Sequence, residues 1–409
     1  MELINHRYCI DGVDVLDLAA RYPSPLFVYS AATVERQYRR LSDAFAATRI
    51  RLNYACKALQ NINILRILCR AGAGLDAVSV QEVRMGLLAG FPPERIVFTP
   101  SGVCMEELEE AVSLGVHVTL ESLSLIDRFG QRYGAQVPVF IRINPHVMGG
   151  GHLKISTGHK GSKFGISYEQ TDAILELVRR HGIRVEGLHM HTGSDILDLN
   201  AFFASADIMF RTAAQFPGLR FIDMGSGFKV PYKPDDYRTD IVQLGAQLSD
   251  RFNAFCKSYG RDLTLIFEPG KFMVSEAGYF LTKVNVVKQT PITTFAGINT
   301  GLNHLIRPMF YDAYHHIVNA SNPEGEVKNY SVVGYICETD TFAWERPLPE
   351  VREGDCLVFL NAGAYCFSMA SNYNARLRPA EVLVRDGRDF LIREPEVFDD
   401  LMRHQIDLG

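Results

Sequence analysis

Apolar residues along this chain fall into two alternating patterns. Short apolar runs stand at Leu52–Cys56, Gly74–Val78, Ile96–Thr99, Val116–Leu120, Val137–Ile143, Val185–His191, Phe221–Met224 and Leu263–Phe267. Between them lie stretches with helical apolar spacing, among them Val80–Leu88, Met105–Leu114, Leu123–Tyr133, Tyr168–Arg180 and Ile241–Ser258. The first pattern suits strands buried on both faces, and the second suits helices with one buried face. Strands that alternate with helices imply a parallel sheet, because parallel neighbours need a crossover between them. Eight such units predict an α/β fold, a closed (β/α)8 barrel of the TIM type, rather than an open sheet.

The rhythm is preceded by strand candidates around Tyr8-Cys9-Ile10 and Leu26-Phe27-Val28-Tyr29, and by helical periodicity from Ala32 to about Ala47. After about Ala277 the texture changes to short strands at Lys283–Val287, Val332–Tyr335, Cys356–Phe359, Glu381–Arg385 and Phe390–Ile392. Turn-like stretches such as Arg346-Pro347-Leu348-Pro349 and Glu353-Gly354-Asp355 separate them. The expected organisation is therefore a barrel over residues 31–276 and a second, mostly β domain, sandwich- or barrel-like. Residues 277–409 build that second domain, and the strands of residues 1–30 are expected to join it.

Composition narrows the function classes. A chain of 409 residues can bury two cores, and 47% hydrophobic with 22% charged residues is ordinary for a globular protein. A net charge of -5 without a basic block speaks against nucleic-acid binding. No apolar run is long enough to span a bilayer, and Met1-Glu2-Leu3-Ile4-Asn5-His6 does not read as a signal segment, so a cytoplasmic protein is expected. The eight cysteines form no CxxC pair, which argues against structural zinc, and a chain of this size does not need disulfides.

Functional groups of such a barrel sit at the C-terminal ends of its strands. Those ends carry Lys57, Asp76, Arg142 with Asn144, His189 with His191 and Ser194, Gly225-Ser226-Gly227, and Glu268-Pro269-Gly270-Lys271. Taken alone, Lys57 reads as a surface lysine; desolvated at a strand end, its amine could add to a carbonyl as a Schiff base. His189 and His191 share a strand face and could pair on a metal, but no third ligand lies close in sequence, so no metal is expected. Gly225-Ser226-Gly227 is either a plain turn or a loop whose N–H groups cradle a phosphate. Glu268 either faces water or pairs with a protonated ring nitrogen. Lysine, phosphate turn and carboxylate together meet the needs of pyridoxal phosphate.

Further runs point the same way: Tyr54-Ala55-Cys56-Lys57-Ala58, Gly74-Leu75-Asp76-Ala77-Val78-Ser79, Ser162-Lys163-Phe164-Gly165-Ile166, His191-Thr192-Gly193-Ser194 and Glu268-Pro269-Gly270. With them the chain resembles the barrel-fold pyridoxal-phosphate amino-acid decarboxylases over almost its whole length. Three runs are more specific to the diaminopimelate branch of that family. They are Leu305-Ile306-Arg307-Pro308, Tyr311-Asp312-Ala313-Tyr314-His315, and Ser368-Met369-Ala370-Ser371-Asn372-Tyr373-Asn374 after Gly363-Ala364-Tyr365.

The resemblance implies roles for individual residues. Lys57 would hold pyridoxal 5'-phosphate, His191 would stack on its ring, and Glu268 would keep the ring nitrogen protonated. Asp76, Ser194, Gly225, Ser226, Gly227, Pro269, Gly270, Lys271 and Tyr365 would complete the cofactor site. Lys271, Arg307, Tyr311, Glu338 and Tyr365 would bind substrate, and Cys337 would return a proton after carbon dioxide leaves. A homodimer is implied, with the Cys337-Glu338 segment reaching the other subunit's barrel. The implied reaction converts meso-2,6-diaminopimelate to L-lysine; carboxynorspermidine, ornithine and arginine are the alternative substrates. A non-catalytic relative is the other alternative, against which stand Lys57, Glu268 and Cys337.

Three positions depart from the family pattern. Lys271 stands where arginine is usual, Ser226 replaces the middle glycine of a triple-glycine turn, and Thr339-Asp340-Thr341 replaces Ser-Gly-Asp after the Cys-Glu pair. Lysine keeps the charge but loses the bidentate fork. Serine is tolerable only if its backbone does not need positive φ.

Overall fold

The computed structural model describes residues 1–149 and 157–409. The chain divides into two compact units: Glu35–Val230 with Tyr237–Met273, and Met1–Val34 with Pro231–Asp236 and Val274–Gly409.

The first unit is a closed parallel barrel. Its strands are β1 (Ile50–Ala55), β2 (Gly74–Ala77), β3 (Ile96–Phe98), β4 (His117–Leu120), β5 (Val139–Asn144), β6 (Val185–His189), β7 (Phe221–Asp223) and β8 (Thr264–Phe267). Each pairs in parallel with the next, and the ring shuts where Phe267 of β8 meets Leu52 of β1. Nearly every strand residue is buried, as expected where side chains on one face fill the barrel and those on the other pack under helices. Val97, Phe140, Phe221 and Ile266 form a buried cluster inside.

Helices follow the strands at Ile62–Ala71, Val80–Ala89, Met105–Ser113, Leu123–Tyr133, Thr171–His181, Leu199–Ala213 and Ile241–Tyr259. Several starts are capped by side chains that accept otherwise unused N–H groups, Ser79 from Glu82 and Ser122 from Leu125. The helix Ala31–Ala44 precedes the barrel and stops three residues short of the expected Ala47. Phe45, next in the chain, packs its ring 4.7 Å from that of Phe267 in β8.

The second unit is a branched nine-stranded sheet. Its organiser is the long strand Gly278–Gln289. The first half pairs with Leu26–Ser30 on one side and Cys356–Phe359 on the other; the second half pairs with Thr294–Ile298. A register shift between Val284 and Val286 lets one strand serve both groups. The N-terminal strand is central, antiparallel to Gly278–Gln289 and parallel to Ala380–Arg385. Tyr8-Cys9-Ile10 lies instead in a small three-stranded sheet of its own.

Some expectations in this unit need correction. Arg346-Pro347-Leu348-Pro349 reads as turn material but forms the end of the strand Thr341–Pro349. That strand is at the edge of the sheet, where proline's missing N–H costs no ladder bond. The strand expected at Val332–Tyr335 is Val327–Val333, because Gly334 and Tyr335 bond instead to Asp340 and Thr300. No helix among the described residues is long and apolar enough to cross a membrane.

Candidate active site

The C-terminal rim of the barrel is stitched by backbone hydrogen bonds. β1 ends at Ala55 and runs into the single turn Cys56–Ala58, which carries Lys57. The Ala55 N–H donates to the Pro269 carbonyl (3.3 Å), that of Glu268 to Gly225 (2.7 Å), and that of Met190 to Asp223 (2.9 Å). The ends of β1, β8, β7 and β6 are thereby joined, so groups far apart in sequence share one rim.

Charges on this rim are set by burial and by each other. The Lys57 ammonium lies 3.2 Å from Asp76 Oδ2, and Thr99 donates its hydroxyl to the other Asp76 oxygen. Burial pushes the Asp76 carboxyl up, nearby Glu268 adds to this, and Lys57 opposes it. For Glu268 burial also acts upward, but His189, 3.1 Å away, together with Lys57 outweighs it and holds the carboxyl well below its ordinary range. Glu268 Oε1 is buried and has no partner among the described residues. Asp223 goes the other way: burial and then the Glu268 charge push it well above the usual range. Two carboxyls in one dry pocket do not both ionise; Glu268 carries the charge and Asp223 the proton. Burial, then Lys57 and Arg142, bring His191 down to about 3, so its ring is neutral.

The Gly225-Ser226-Gly227 turn fits a close-approach site. Gly225 and Gly227 have φ of +64° and +136°, and a Cβ on either would lie within 2.7 Å of the loop that carries His191 and Gly193. Ser226 is not among the positive-φ residues, so serine fits there without backbone strain. Two N–H groups of the turn are used inside the protein, Gly225 to Asp223 (2.9 Å) and Ser226 to His191 Nδ1 (3.1 Å). Ser194 sits on the adjoining loop, tied to the turn where Ile196 donates to the Gly227 carbonyl (2.8 Å). Lys271 follows Gly270, is buried, and pairs at 2.5 Å with Asp195.

These observations suit pyridoxal phosphate. A buried, ionised carboxylate with one unused oxygen matches a protonated ring nitrogen, a nearby amine matches an aldehyde, and a turn in which Gly225 and Gly227 have no room for side chains suits a phosphate. The absence of a metal was expected because no third ligand lies near His189 and His191 in sequence. The fold corrects that premise: His191 lies beyond the end of β6, and Asp223 joins His189 and Glu268 with ligand atoms within 4.8 Å of one another.

The second unit carries the other expected residues. Arg307 opens and Tyr311 closes the short helix Arg307–Tyr311, four positions apart and so on one face. Arg307 is buried; its Nη1 donates to His315 Nε2 (3.0 Å), while His315 Nδ1 donates to the Leu360 carbonyl (2.9 Å). Burial and then the Arg307 charge hold His315 down to about 3. The Arg307 guanidinium also lies 4.7 Å from the centre of the Tyr232 ring. Tyr365 is held at φ 57°, unusual for a bulky residue.

Cys337 and Glu338 are exposed on a loop. The Cys337 thiol donates to Glu338 Oε2 (3.4 Å) and receives the Asn374 amide (3.3 Å), and Tyr373 donates its hydroxyl to Glu338. That bond lowers the Glu338 carboxyl. Behind the loop Asp340 is buried, and its Oδ2 accepts from the N–H groups of Leu302 (3.3 Å) and Ile336 (3.2 Å). The unusual Thr339-Asp340-Thr341 segment is thus the loop's anchor.

Comparison with known proteins agrees with this geometry. The pyridoxal binding domain of the pyridoxal-dependent decarboxylases matches residues 31–275. Diaminopimelate decarboxylase of Methanothermobacter thermautotrophicus is 38% identical over 406 residues, covering 97% of this chain and 95% of that protein. The chain belongs to the pyridoxal-dependent decarboxylase family. A crystal structure of diaminopimelate decarboxylase from M. jannaschii in co-complex with L-lysine superposes with a TM-score of 0.89 at 33% identity, covering 99% of this chain and 97% of that one. One from Helicobacter pylori, complexed with L-lysine, gives 0.88 at 31%, covering 95% and 98%.

Sequence reasoning passed over Asp223, Asp195, His315 and the Tyr373-Asn374 pair as site residues. Asp223 stands at a strand end and the same positional rule finds it. Asp195 carries no local signal; His315, Tyr373 and Asn374 lie in runs that the resemblance singled out, but only folding shows that they contact Arg307, Glu338 and Cys337.

Proposed function

We propose that the protein decarboxylates meso-2,6-diaminopimelate to L-lysine and carbon dioxide. The observation that carries the chemistry is Glu268, buried, ionised and holding one oxygen without a partner beside Lys57 and His191. The choice of substrate is supported by full-length likeness to proteins with that activity.

Pyridoxal phosphate, when bound, supplies an aldehyde that takes up amines and a ring that draws electrons from the bond to the departing carboxylate. Lys57 would hold it through its amine. Glu268 keeps a proton on the ring nitrogen, and its own charge is maintained by His189. Neutral His191 is assigned to the ring face. Asp76 holds Lys57 in place; Ser194, the Gly225–Gly227 turn, the Glu268–Lys271 turn and Tyr365 are assigned to the remaining cofactor groups.

The distal end of diaminopimelate bears both an ammonium and a carboxylate. Arg307, with Tyr311 on the same helix face, is assigned to the carboxylate and Glu338 to the ammonium. Lys271 adds positive charge; it is paired with Asp195, so its contribution to the substrate carboxylate is shared. Ornithine, arginine and carboxynorspermidine lack the distal carboxylate and so forgo the charge-assisted hydrogen bonds that Arg307 would offer. Cys337 delivers the proton to the carbon that has lost carbon dioxide. The working form is a homodimer in which each subunit lends Cys337 and Glu338 to its partner. A reducing cytoplasm suits the free cysteines.

The test is carbon dioxide release from each of the four amino acids. Diaminopimelate should lead in kcat/KM by roughly a thousand-fold; turnover of ornithine or arginine without diaminopimelate would overturn the assignment.

A further inference from the structure

The far end of the barrel holds a second group of charges that the decarboxylation does not use. At the N-terminal ends of the strands, opposite Lys57, lies a cavity of about 360 Å³. Arg49, Arg51, Arg95, Arg220, His117 and Glu94 line it. Arg49 precedes β1 and Arg51 is its second residue, Arg95 precedes β3, His117 opens β4 and Arg220 precedes β7. Barrel geometry therefore converges four guanidinium groups that the sequence scatters.

Their charge is only partly balanced locally. Glu186 is already committed, to His117 at 2.5 Å and to Arg220 at 3.0 Å. Glu94 supplies only its backbone carbonyl to Arg51, at 3.2 Å. Asp223 and Glu186 are the carboxyls whose charge favours the Arg51 guanidinium, and burial outweighs them. Arg51 Nε and Nη2 are buried and meet no acceptor among the described residues. Burial lowers the Arg51 guanidinium to about 10, and Arg95 and Arg220 push it the same way. Arg51 and Arg220 both lie against the Phe221 ring, at 5.0 and 4.9 Å from its centre, which holds the two forks near each other. Buried guanidinium donors left unpaired are rare in folded proteins and call for an acceptor.

We propose that this cavity is a binding site for a compact, multiply charged phosphate. Phosphate oxygens match the paired donors of guanidinium groups, and several such groups around one cavity suit a dianion or higher better than a single carboxylate. The exposed Arg49, Arg95 and Arg220 form the rim that draws the anion in, and half-buried Arg51 closes the floor.

The experiment is calorimetric titration of the pyridoxal-phosphate-loaded enzyme, whose cofactor occupies the active-site phosphate position. The titrants are inorganic phosphate, pyrophosphate and ribose 5-phosphate, with ionic strength held constant by sodium chloride. Saturable binding of one pyrophosphate per chain is expected, with melting temperature rising as the ligand is added. Preference for ribose 5-phosphate over both inorganic anions would assign the site to a phosphate ester; the reverse order would assign it to the free anion. Arg51→Met, which keeps an unbranched side chain on Phe221, should weaken binding at least tenfold. Should that variant not fold, Arg49→Gln combined with Arg95→Gln decides, with a similar loss and unchanged decarboxylase activity. The proposal is overturned if no titrant saturates, if sodium chloride alone reproduces the thermal shift, or if binding survives these substitutions unchanged.

Discussion

At the barrel rim Glu268, His189, Asp223 and Asp76 are buried and lie within reach of one another's charge, whereas Cys337 and Glu338 of the second unit stand exposed on a loop. The rim groups have no water to moderate their charges, so each one's protonation follows from its neighbours. Asp223 is pushed toward its protonated form by burial first and then by the Glu268 charge. The loop pair is screened by solvent, and its geometry rests on local tethers, Tyr373 and Asn374 in front and Asp340 behind. The rim is thus electrostatically coupled and intolerant of change, while the loop is separable: its side chains can be altered without disturbing the charges elsewhere.

The contrast can be broken by substitution. Glu268→Gln keeps the shape but removes the charge, and kcat should fall by about a thousand-fold. A loss of less than tenfold would break the assignment of Glu268 to the ring nitrogen. Cys337→Ala should slow product formation by about a hundred-fold while cofactor absorbance stays intact and stability moves by no more than about 0.5 kcal/mol. Loss of the cofactor in that variant would mean that the loop is not separable.

A smaller effect is expected at His315, which acts through Arg307. His315→Leu, which has no acceptor, removes a hydrogen bond to a charged group, worth about 1.5 kcal/mol, so KM for diaminopimelate should rise about tenfold with kcat nearly unchanged. An equal fall in kcat would point to a merely structural role.

The same residue leaves a mark on the pH dependence of stability. Burial holds His315 to about 3 and His304 to about 4 in the folded chain, while the unfolded chain takes up these protons near pH 6.5. Between those limits the unfolded state binds more protons, so stability is full above about pH 6.5 and is lost as pH falls toward 4. Each histidine contributes up to about 1.4 kcal/mol per pH unit in that window. Denaturant melts at pH 6.5 and pH 5 should show a slope that His315→Gln reduces by one proton's share.

The eight barrel strands were legible because strands covered on both faces are written as nearly unbroken apolar runs, and their ends pointed to Lys57, Glu268 and the Gly225–Gly227 turn. The edge strand Thr341–Pro349 was not, because an edge tolerates the Arg-Pro-Leu-Pro sequence that reads locally as a turn. The strands Thr294–Ile298, interrupted by Gly297, and Ile317–Asn319, three residues ending in asparagine, leave no apolar run to read. Ser226 shows the same limit at a single residue: its identity raised a question of backbone strain that only the observed conformation answered.

By itself, then, the sequence determined the alternation that closes the barrel, the chemical types available at the strand ends, and the family to which they correspond. Tertiary structure alone decided the charge states: which of Glu268 and Asp223 keeps its proton, that Lys271 is paired with Asp195, that His315 is neutral behind Arg307, and that Arg51 is left with unused donors. The physical reason is that hydrophobic periodicity is local and survives in one dimension, whereas desolvation and Coulomb interactions depend on distances that exist only after folding.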